Sequence, residues 1–330
     1  MKFCRIYSPK SELQLWTKLY IFTPIKTIAL KRILPLLFFM PFLVYSQDYV
    51  DVLKTGYSYT SKAEFEGSNE STDVKSFEAG LTFPMVLNDK YTLITGVNFS
   101  TNQLLLSPDY NQVTNIYSTL LKVGIATTHS EKWSSTIVFL PKISSDYKNL
   151  SGDDFYFGGF AIAKLKRSEY FKYRFGLYAS TEAFGLFATP IFGFYYLSPS
   201  KRLEIDASLP ISADINYRFG KAAVGIDYFG IGRSYNISQD TSIPVYIEQS
   251  PLEFTSYFQY GILENSILLR AKVGYSSNVY EVYEQGDKLD FRLSAFSFGD
   301  DRTQLNPDIL GSVFFKVEAI YRIHFKEKEK

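Results

Sequence analysis

The sequence predicts an all-β fold: a transmembrane, antiparallel, up-and-down β-barrel of about 14 strands, with 12 as the alternative, preceded by a signal peptide. Three observations carry that expectation. The first is the period of the last segment. Val313, Phe315, Val317, Ala319, Tyr321, Ile323 and Phe325 are apolar or aromatic, while Phe314, Lys316, Glu318, Ile320, Arg322, His324 and Lys326 fall between them. A strand points successive side chains to opposite faces, so one face here is apolar throughout and the other carries Lys316, Glu318, Arg322 and His324. About a dozen residues at this period, closed by an aromatic, suit a tilted strand crossing a bilayer. The second observation is a regular alternation of short and long polar connections. The third is an N-terminal apolar run too short and too broken to span.

That run is Ile33 to Val44, preceded by Lys31 and Arg32, interrupted by Pro35 and Pro41, and followed by Tyr45, Ser46 and Gln47. A charged start, an apolar middle and small residues at the exit match a secretory signal, with cleavage expected after Ser46. Residues 1–46 then form an N-terminal extension and signal peptide, and 47–330 a single barrel domain. The only cysteine, Cys4, falls in the extension, so the exported chain has no thiol for a disulfide or a cysteine-ligated metal. The leader holds seven of the 35 basic residues and one of the 34 acidic ones, leaving 28 against 33, a net charge of −5. A mildly acidic chain without a basic cluster argues against nucleic acid as a partner. Past residue 50 there is no run of the roughly 18–20 apolar residues that a spanning helix needs, so insertion must be by strands.

Strands are expected to begin near Tyr49, Val74, Tyr91, Val113, Trp133, Asp154, Phe171, Ile191, Leu203, Ile211, Ala222, Val245, Ile267 and Gly311. Short turns separate them at Asn88–Lys90, His129–Lys132, Arg167–Glu169, Ser198–Lys201, Gly220–Lys221 and Glu264–Ser266. Long polar loops separate them at Lys62–Asp73, Ser107–Gln112, Lys142–Asp153, Arg233–Ile243 and Asn278–Leu310. Outer-membrane barrels have short periplasmic turns and longer external loops. Both termini are therefore expected in the periplasm, with the loops around Glu66, Tyr147 and Tyr283 outside. Leu209-Pro210-Ile211 is either a tight outer turn or a bulge, because proline cannot donate to a ladder.

Period two also assigns the interior. Phe171, Tyr173, Phe175 and Leu177 oppose Lys172 and Arg174; Leu203, Ile205 and Ala207 oppose Glu204 and Asp206; Ile267, Leu269 and Val273 oppose Arg270 and Lys272. The candidate lumen-lining set is Lys172, Arg174, Glu182, Glu204, Asp206, Asp214, Arg218, Asp227, Arg270, Lys272, Glu318 and Arg322. Six charges of each sign suggest pairing, which fits either a salt-bridged filling or a narrow, weakly selective pore. Aromatics at Phe155, Tyr156, Phe157, Tyr170, Phe171, Phe192, Phe194, Tyr195, Tyr196, Tyr228 and Phe229 are expected to form interfacial girdles.

The stretches Leu203–Tyr235 (LEIDASLPISADINYRFGKAAVGIDYFGIGRSY), Phe171–Gly185 with the ATPIFGFYYLSP after it, and Phe298–Pro307 (FGDDRTQLNP) resemble a family of Bacteroidota outer-membrane β-barrels of unassigned function. The resemblance implies a barrel, a signal peptide and an outer-membrane address, and brings no catalytic residues.

Enzymatic readings find little support. His129 sits in a turn beside Ser130 and Glu131, whose adjacent side chains diverge, and His324 lies near the end of the last strand. Neither makes the aligned nucleophile and base that a hydrolase needs. Asp153-Asp154 and Asp300-Asp301-Arg302 lack the spacing of a calcium loop and read as turn residues. The segment Phe298–Pro307 is the best candidate for a specific loop function, since about 30 residues before the last strand exceed what closure requires. The function expected is a passive pore or a structural or surface-interaction component without cofactor. The alternative is a lipid-modifying or hydrolytic barrel enzyme. Expected partners are outer-membrane lipid, the barrel-assembly machinery through the strand ending at Phe325, and a small solute or surface ligand.

Overall fold

A sheet with an apolar outer face has no water to satisfy its edge N–H and C=O groups, so it is stable only if it closes on itself. The computed structural model, which describes residues 49–109, 112–238, 243–277 and 279–324, shows that closure. The expected signal peptide and its cleavage point, Cys4 and Phe325 lie outside the described residues. Eleven consecutive strands come first: β1 (Tyr49–Glu64), β2 (Ser71–Val86), β3 (Tyr91–Leu104), β4 (Thr114–Thr128), β5 (Trp133–Ser145), β6 (Phe155–Lys166), β7 (Phe171–Glu182), β8 (Gly185–Leu197), β9 (Leu203–Leu209), β10 (Ser212–Phe219) and β11 (Ala222–Phe229). There follow β12 (Arg233–Ile237), β13 (Val245–Ser250), β14 (Glu253–Ile262), β15 (Ile267–Ser276), β16 (Val279–Glu284), β17 (Phe291–Leu293), β18 (Phe296–Phe298) and β19 (Ser312–His324). Strands β1–β11, β14, β15 and β19 form a closed antiparallel barrel of 14. Its seam is the β1–β19 ladder, running from Tyr49↔His324 to Thr60↔Phe314.

The polarity is that of a membrane barrel. Phe175, Leu177, Phe192, Ile226, Val273, Phe315 and Val317 are exposed on the outer face, the reverse of a water-soluble protein's preference. Their neighbours Lys172, Arg174, Glu204, Lys272, Glu318 and Arg322 are buried inside. The six short turns, together with Tyr49 and His324, share one end, and the long connections share the other. Pro210 and Ile211 form a turn at the long-loop end between β9 and β10, not a bulge.

Several expectations need correction. The strand expected from Val245 is not part of the wall. β13 pairs on one side with β12 and on the other with β16, and the barrel strand after β11 is β14. Strand eight starts at Gly185 rather than Ile191, because β7 runs on to Glu182 and turns in two residues. The loop expected at Lys142–Asp153 begins later, since β5 continues to Ser145. Tyr156 and Tyr195 do not belong to a girdle: they occupy inward positions and are buried, while Phe155, Phe157 and Phe192 face out.

The segments Arg233–Ile243 and Asn278–Leu310, expected as polar loops, are largely ordered into a cap. β12, β13 and β16 form an antiparallel sheet with Tyr235 opposite Ile247 and Tyr246 opposite Tyr283. Tyr235, Ile247 and Tyr280 are fully buried against Phe65, Val74, Leu104, Ile116 and Ile309, the inward residues at the outer end of the barrel. A second cluster joins Tyr246, Tyr283 and Leu289 to Phe184 and Phe187. Asn306 fastens the cap: its Oδ1 accepts from the Val282 N–H at 2.8 Å, and its Nδ2 donates to the Leu106 and Tyr280 carbonyls at 3.1 and 2.9 Å. Asn306→Ala strands three buried backbone groups, each at a cost of about 1–3 kcal/mol. The variant is expected to keep the barrel's heat-modifiable gel mobility while amide exchange in Val279–Glu284 accelerates by at least about tenfold; unchanged exchange there would assign the fastening elsewhere.

Candidate functional site

Alternate inward residues of the wall strands converge on one axis, and the space between them is a cavity of about 380 Å³. It runs from Tyr49, Asp51 and Arg322 near the short-turn end to Arg233 and Gln249 on the underside of the cap. Eight acidic and seven basic side chains line it, so its charge is almost balanced.

At the short-turn end, Glu204 accepts hydrogen bonds from the phenols of Tyr49 at 2.7 Å and Tyr195 at 3.0 Å, and pairs with Arg218. The Arg322 guanidinium grips Asp51 with two bonds of 2.6 and 3.0 Å and lies 3.5 Å from the centre of the Tyr49 ring. Midway along, Arg270 meets Asp214 at 3.3 Å, donates to Gln259 at 2.6 Å and stacks on Tyr257, whose own hydroxyl donates to Asp214 at 2.7 Å. Gly225 makes room for this: a Cβ there would stand 2.4 Å from the Tyr257 ring. Beside it Glu318 sits among Lys54, Lys272 and Lys316 at 3.1, 3.2 and 3.5 Å, while Lys316 also holds Glu78 at 2.6 Å and Lys272 contacts Asp227. Under the cap, Asn102, Tyr235, Gln249 and Tyr280 form a chain of hydrogen bonds of 3.4, 2.9 and 3.0 Å.

Of the twelve residues singled out in the sequence, Glu204, Asp206, Asp214, Arg218, Asp227, Arg270, Lys272, Glu318 and Arg322 line this cavity. Lys172, Arg174 and Glu182 face inward but do not reach it. Lys172 lies over the Tyr195 ring, and Arg174 is bound to Asp206 through both terminal nitrogens. Glu182 serves the cap. Its carboxylate takes the Lys142 ammonium at 2.8 Å and both the N–H and hydroxyl of Ser234, each at 2.8 Å, tying β7 and β5 to β12.

Sequence reasoning missed Asp51, Lys54, Glu78, Lys142, Lys316, Arg233 and Glu248. Lys54, Glu78 and Lys316 share the inward parity of their strands, a signal within reach of the period-two rule, whereas Asp51 faces inward only because a bulge after it shifts the β1 register. Glu248 had no such signal. It is buried in the cap, where Arg302 approaches at 2.9 Å and Arg292 contacts the other oxygen. Arg302 also grips Asp300 at 2.8 and 2.9 Å, donates to the Tyr246 hydroxyl at 2.8 Å and stacks 4.0 Å from the Tyr283 ring centre. The Phe298–Pro307 segment therefore works as a clasp. Its Arg302 bonds hold the Asp300 carboxyl below its usual range, and burial pushes the Tyr246 phenol up to about 12. A depressed carboxyl contributes stability above its unfolded value and loses it as pH falls through the folded one, so the clasp is complete at neutral pH and loosens only in acid.

His129 and His324 stay apart from these groups. His129 Nε2 is 2.7 Å from Ser135 Oγ at the exposed short-turn rim, and the His324 ring lies 6.2 Å from that of Tyr49. Asp154 is buried, caps the turn at Ser151 and accepts from Asn236 Nδ2 at 3.0 Å. Among the described residues, no group of three or more His, Cys, Asp or Glu is placed to hold a metal ion.

The sequence from 43 to 251 matches a family profile described as a domain of unknown function, DUF6268. The chain belongs to this family. The matched part includes β1–β13, so the three strands that complete the DUF6268 barrel, β14, β15 and β19, follow it. No curated protein sequence matches the chain. Among solved structures it is similar to the NanC porin, at 7% identity over 82% of this chain and 100% of that one, with a TM-score of 0.34. It is also similar to the P. putida toluene transporter TodX, at 11% identity over 85% and 91% with a TM-score of 0.36. A third is Pseudomonas aeruginosa OccK7, at 10% identity over 83% and 99% with a TM-score of 0.28.

Removing Glu182 leaves the Lys142 ammonium buried and unpaired, an error that costs about 3–5 kcal/mol. Glu182→Ala is expected to lower the denaturant midpoint of the refolded barrel markedly, and Lys142→Met combined with Glu182→Leu to recover only the part due to the unpaired ammonium, because the Ser234 N–H and hydroxyl stay stranded. Equal midpoints for the single and double variants would assign the whole loss to the Ser234 bonds.

Proposed function

We propose that this protein is a non-enzymatic barrel of the outer membrane, exported with cleavage after Ser46, whose lumen is closed to axial flow in the conformation described here. The observation that carries this reading is the cap: a three-stranded sheet whose Tyr235, Tyr246 and Tyr280 are fully buried within the outer end of the barrel. A sheet packed on the wall's own apolar residues closes the mouth as a folded element and not as a loose loop. The exposed apolar belt and the sorting of short turns to the end holding Tyr49 and His324 support the membrane address. The near balance of charge along the cavity supports a weakly selective lumen.

Ion pairs alone do not close the lumen, because space remains between them. Single-channel recording in planar bilayers tests the point. The wild type is expected to show no steady conductance, and replacement of residues 233–250 by a short Gly-Ser linker to open a persistent channel. Arg174, Arg218 and Arg270 changed together to Ser should leave the wild type shut and alter ion preference only in the uncapped variant. A wild type that conducts steadily would refute closure by the cap.

A further inference from the structure

The cap closes the barrel axially, but one side of the wall beneath it is low. β9, β10 and β11 have 7, 8 and 8 residues, whereas β6 and β7 have 12 each and β1 and β2 have 16 each. All rise from the same short-turn end, and a tilted strand needs about 9–11 residues to cross the apolar layer of a membrane. On this side the hydrogen-bonded wall therefore stops short of the outer lipid boundary. Above β9, the free edge of β8 is taken by the small β17–β18 hairpin, through only two residue pairs, Arg292↔Phe187 and Leu293↔Ala188. Ser294 adds an N–H bond to the Ala188 carbonyl at 2.9 Å and a hydroxyl contact with Thr189 at 2.6 Å. Among the described residues, β18 has a ladder with β17 alone. The ladder is thus broken between β18 and the upper ends of β10, β11 and β14.

The cavity reaches this break. Ser212, Phe229, Pro251 and Glu253, at the upper ends of those strands, line it. The surface flanking the break on the outside is apolar: Leu209, Leu252 and Phe254 are exposed, and Phe296 at the hairpin tip is 68% exposed. Between the charged interior and the apolar exterior the hydrogen-bonded wall is thus interrupted above β9–β11.

We propose that this break is a lateral portal between the lumen and the outer leaflet, with the β17–β18 hairpin as its flap, and that it admits the zwitterionic headgroup of a membrane amphiphile whose acyl chain stays in the lipid. The proposal rests on the membrane reading above. The ligand class follows from the walls. Eight acidic and seven basic groups suit a headgroup carrying both signs, and an acyl chain would gain nothing among charges that it would otherwise gain in lipid. The hairpin suits a flap because its hold on the wall is confined to Arg292–Ser294, with Arg292 also paired to Glu248 of the cap, so its local opening is less costly than breaking a barrel ladder.

The test uses the full chain reconstituted in phosphatidylcholine vesicles containing a lysophosphatidylcholine with a photoreactive group on its headgroup, with labelled peptides read by mass spectrometry. Label is expected on cavity residues of β10, β11 and β14. The Thr189→Cys/Ser294→Cys pair, on a Cys4→Ser background, should lower that label at least fivefold when oxidised and restore it when reduced. Replacing residues 291–298 by Gly-Ser should raise it, and this arm decides if the disulfide does not form. Label confined to the outer face, or cavity label indifferent to both flap variants, would overturn the portal. So would equal labelling by a photoreactive glycerophosphocholine that has no acyl chain, since that probe enters from water. Heat-modifiable mobility and protease protection report insertion separately, so a chain that fails to insert counts against the membrane reading and not against the portal.

Discussion

Everything in this molecule depends on the ladder between β1 and β19. Without it the other wall strands would form an open sheet with two edges of unpaired backbone groups beside lipid, each costing several kcal/mol where no water can serve it. With it, every wall strand has a neighbour on each side over most of its length, the upper part of β8 above β9 being the exception, and side chains are sorted largely by parity into an outer apolar face and an inner polar one. The partners in this ladder are more than 250 positions apart, as the Ser61–Ser312 and Asp51–Arg322 contacts across it show. Closure therefore comes from the whole chain and cannot belong to any one part of it.

Closure creates the second constraint, a narrow interior crowded with charge. A buried charge is tolerated when it is paired and hydrogen-bonded, and most of the lumen meets that condition with tyrosines as well as ions, while the Glu318 carboxylate is held by its ring of lysines without a hydrogen bond. Tyr49 and Tyr257 each donate to a carboxylate while an arginine lies over the ring. The phenol satisfies the acid and the ring face satisfies the guanidinium, so one side chain completes two charged groups. The arrangement leaves a cavity because each charged group is held against the wall or against a neighbour on the next strand.

The cap reverses the polarity of the barrel that holds it. The wall is apolar outside and polar inside, yet its outermost inward residues, Phe65, Val74, Leu104 and Ile116, are apolar and join the cap in a core like that of a soluble domain. Polar anchors at the rim of that core fix its position: Glu182 to Ser234, Asp154 to Asn236, and Asn306 to the β16 backbone. Such bonds are directional where hydrophobic contact is not, which explains why one docking of the cap is favoured over others of similar area.

Much of this was legible in the chain itself. Period two along Phe171–Leu177, Ile267–Tyr275 and Val313–Ile323, with turn residues at regular intervals, determined an all-β closed barrel and the face on which Arg270, Lys272 and Glu318 lie, because side-chain direction in a strand is a local property; the count of about 14, with 12 as its alternative, took in Val245–Ser250 in place of the wall strand Glu253–Ile262. The same rule misplaced Val245–Ser250, whose alternation is that of a wall strand although both its faces are buried in the cap. A period tells which residues share a face and not what that face meets. Whether Glu182 lines a pore or holds β12, whether Phe298–Pro307 is a free loop or the clasp around Glu248, and where the wall stops short were decided only by the tertiary structure. Each depends on contacts between segments 30 to 200 residues apart in the chain, such as Asn306 with Leu106, and no local pattern records which distant group a side chain will find.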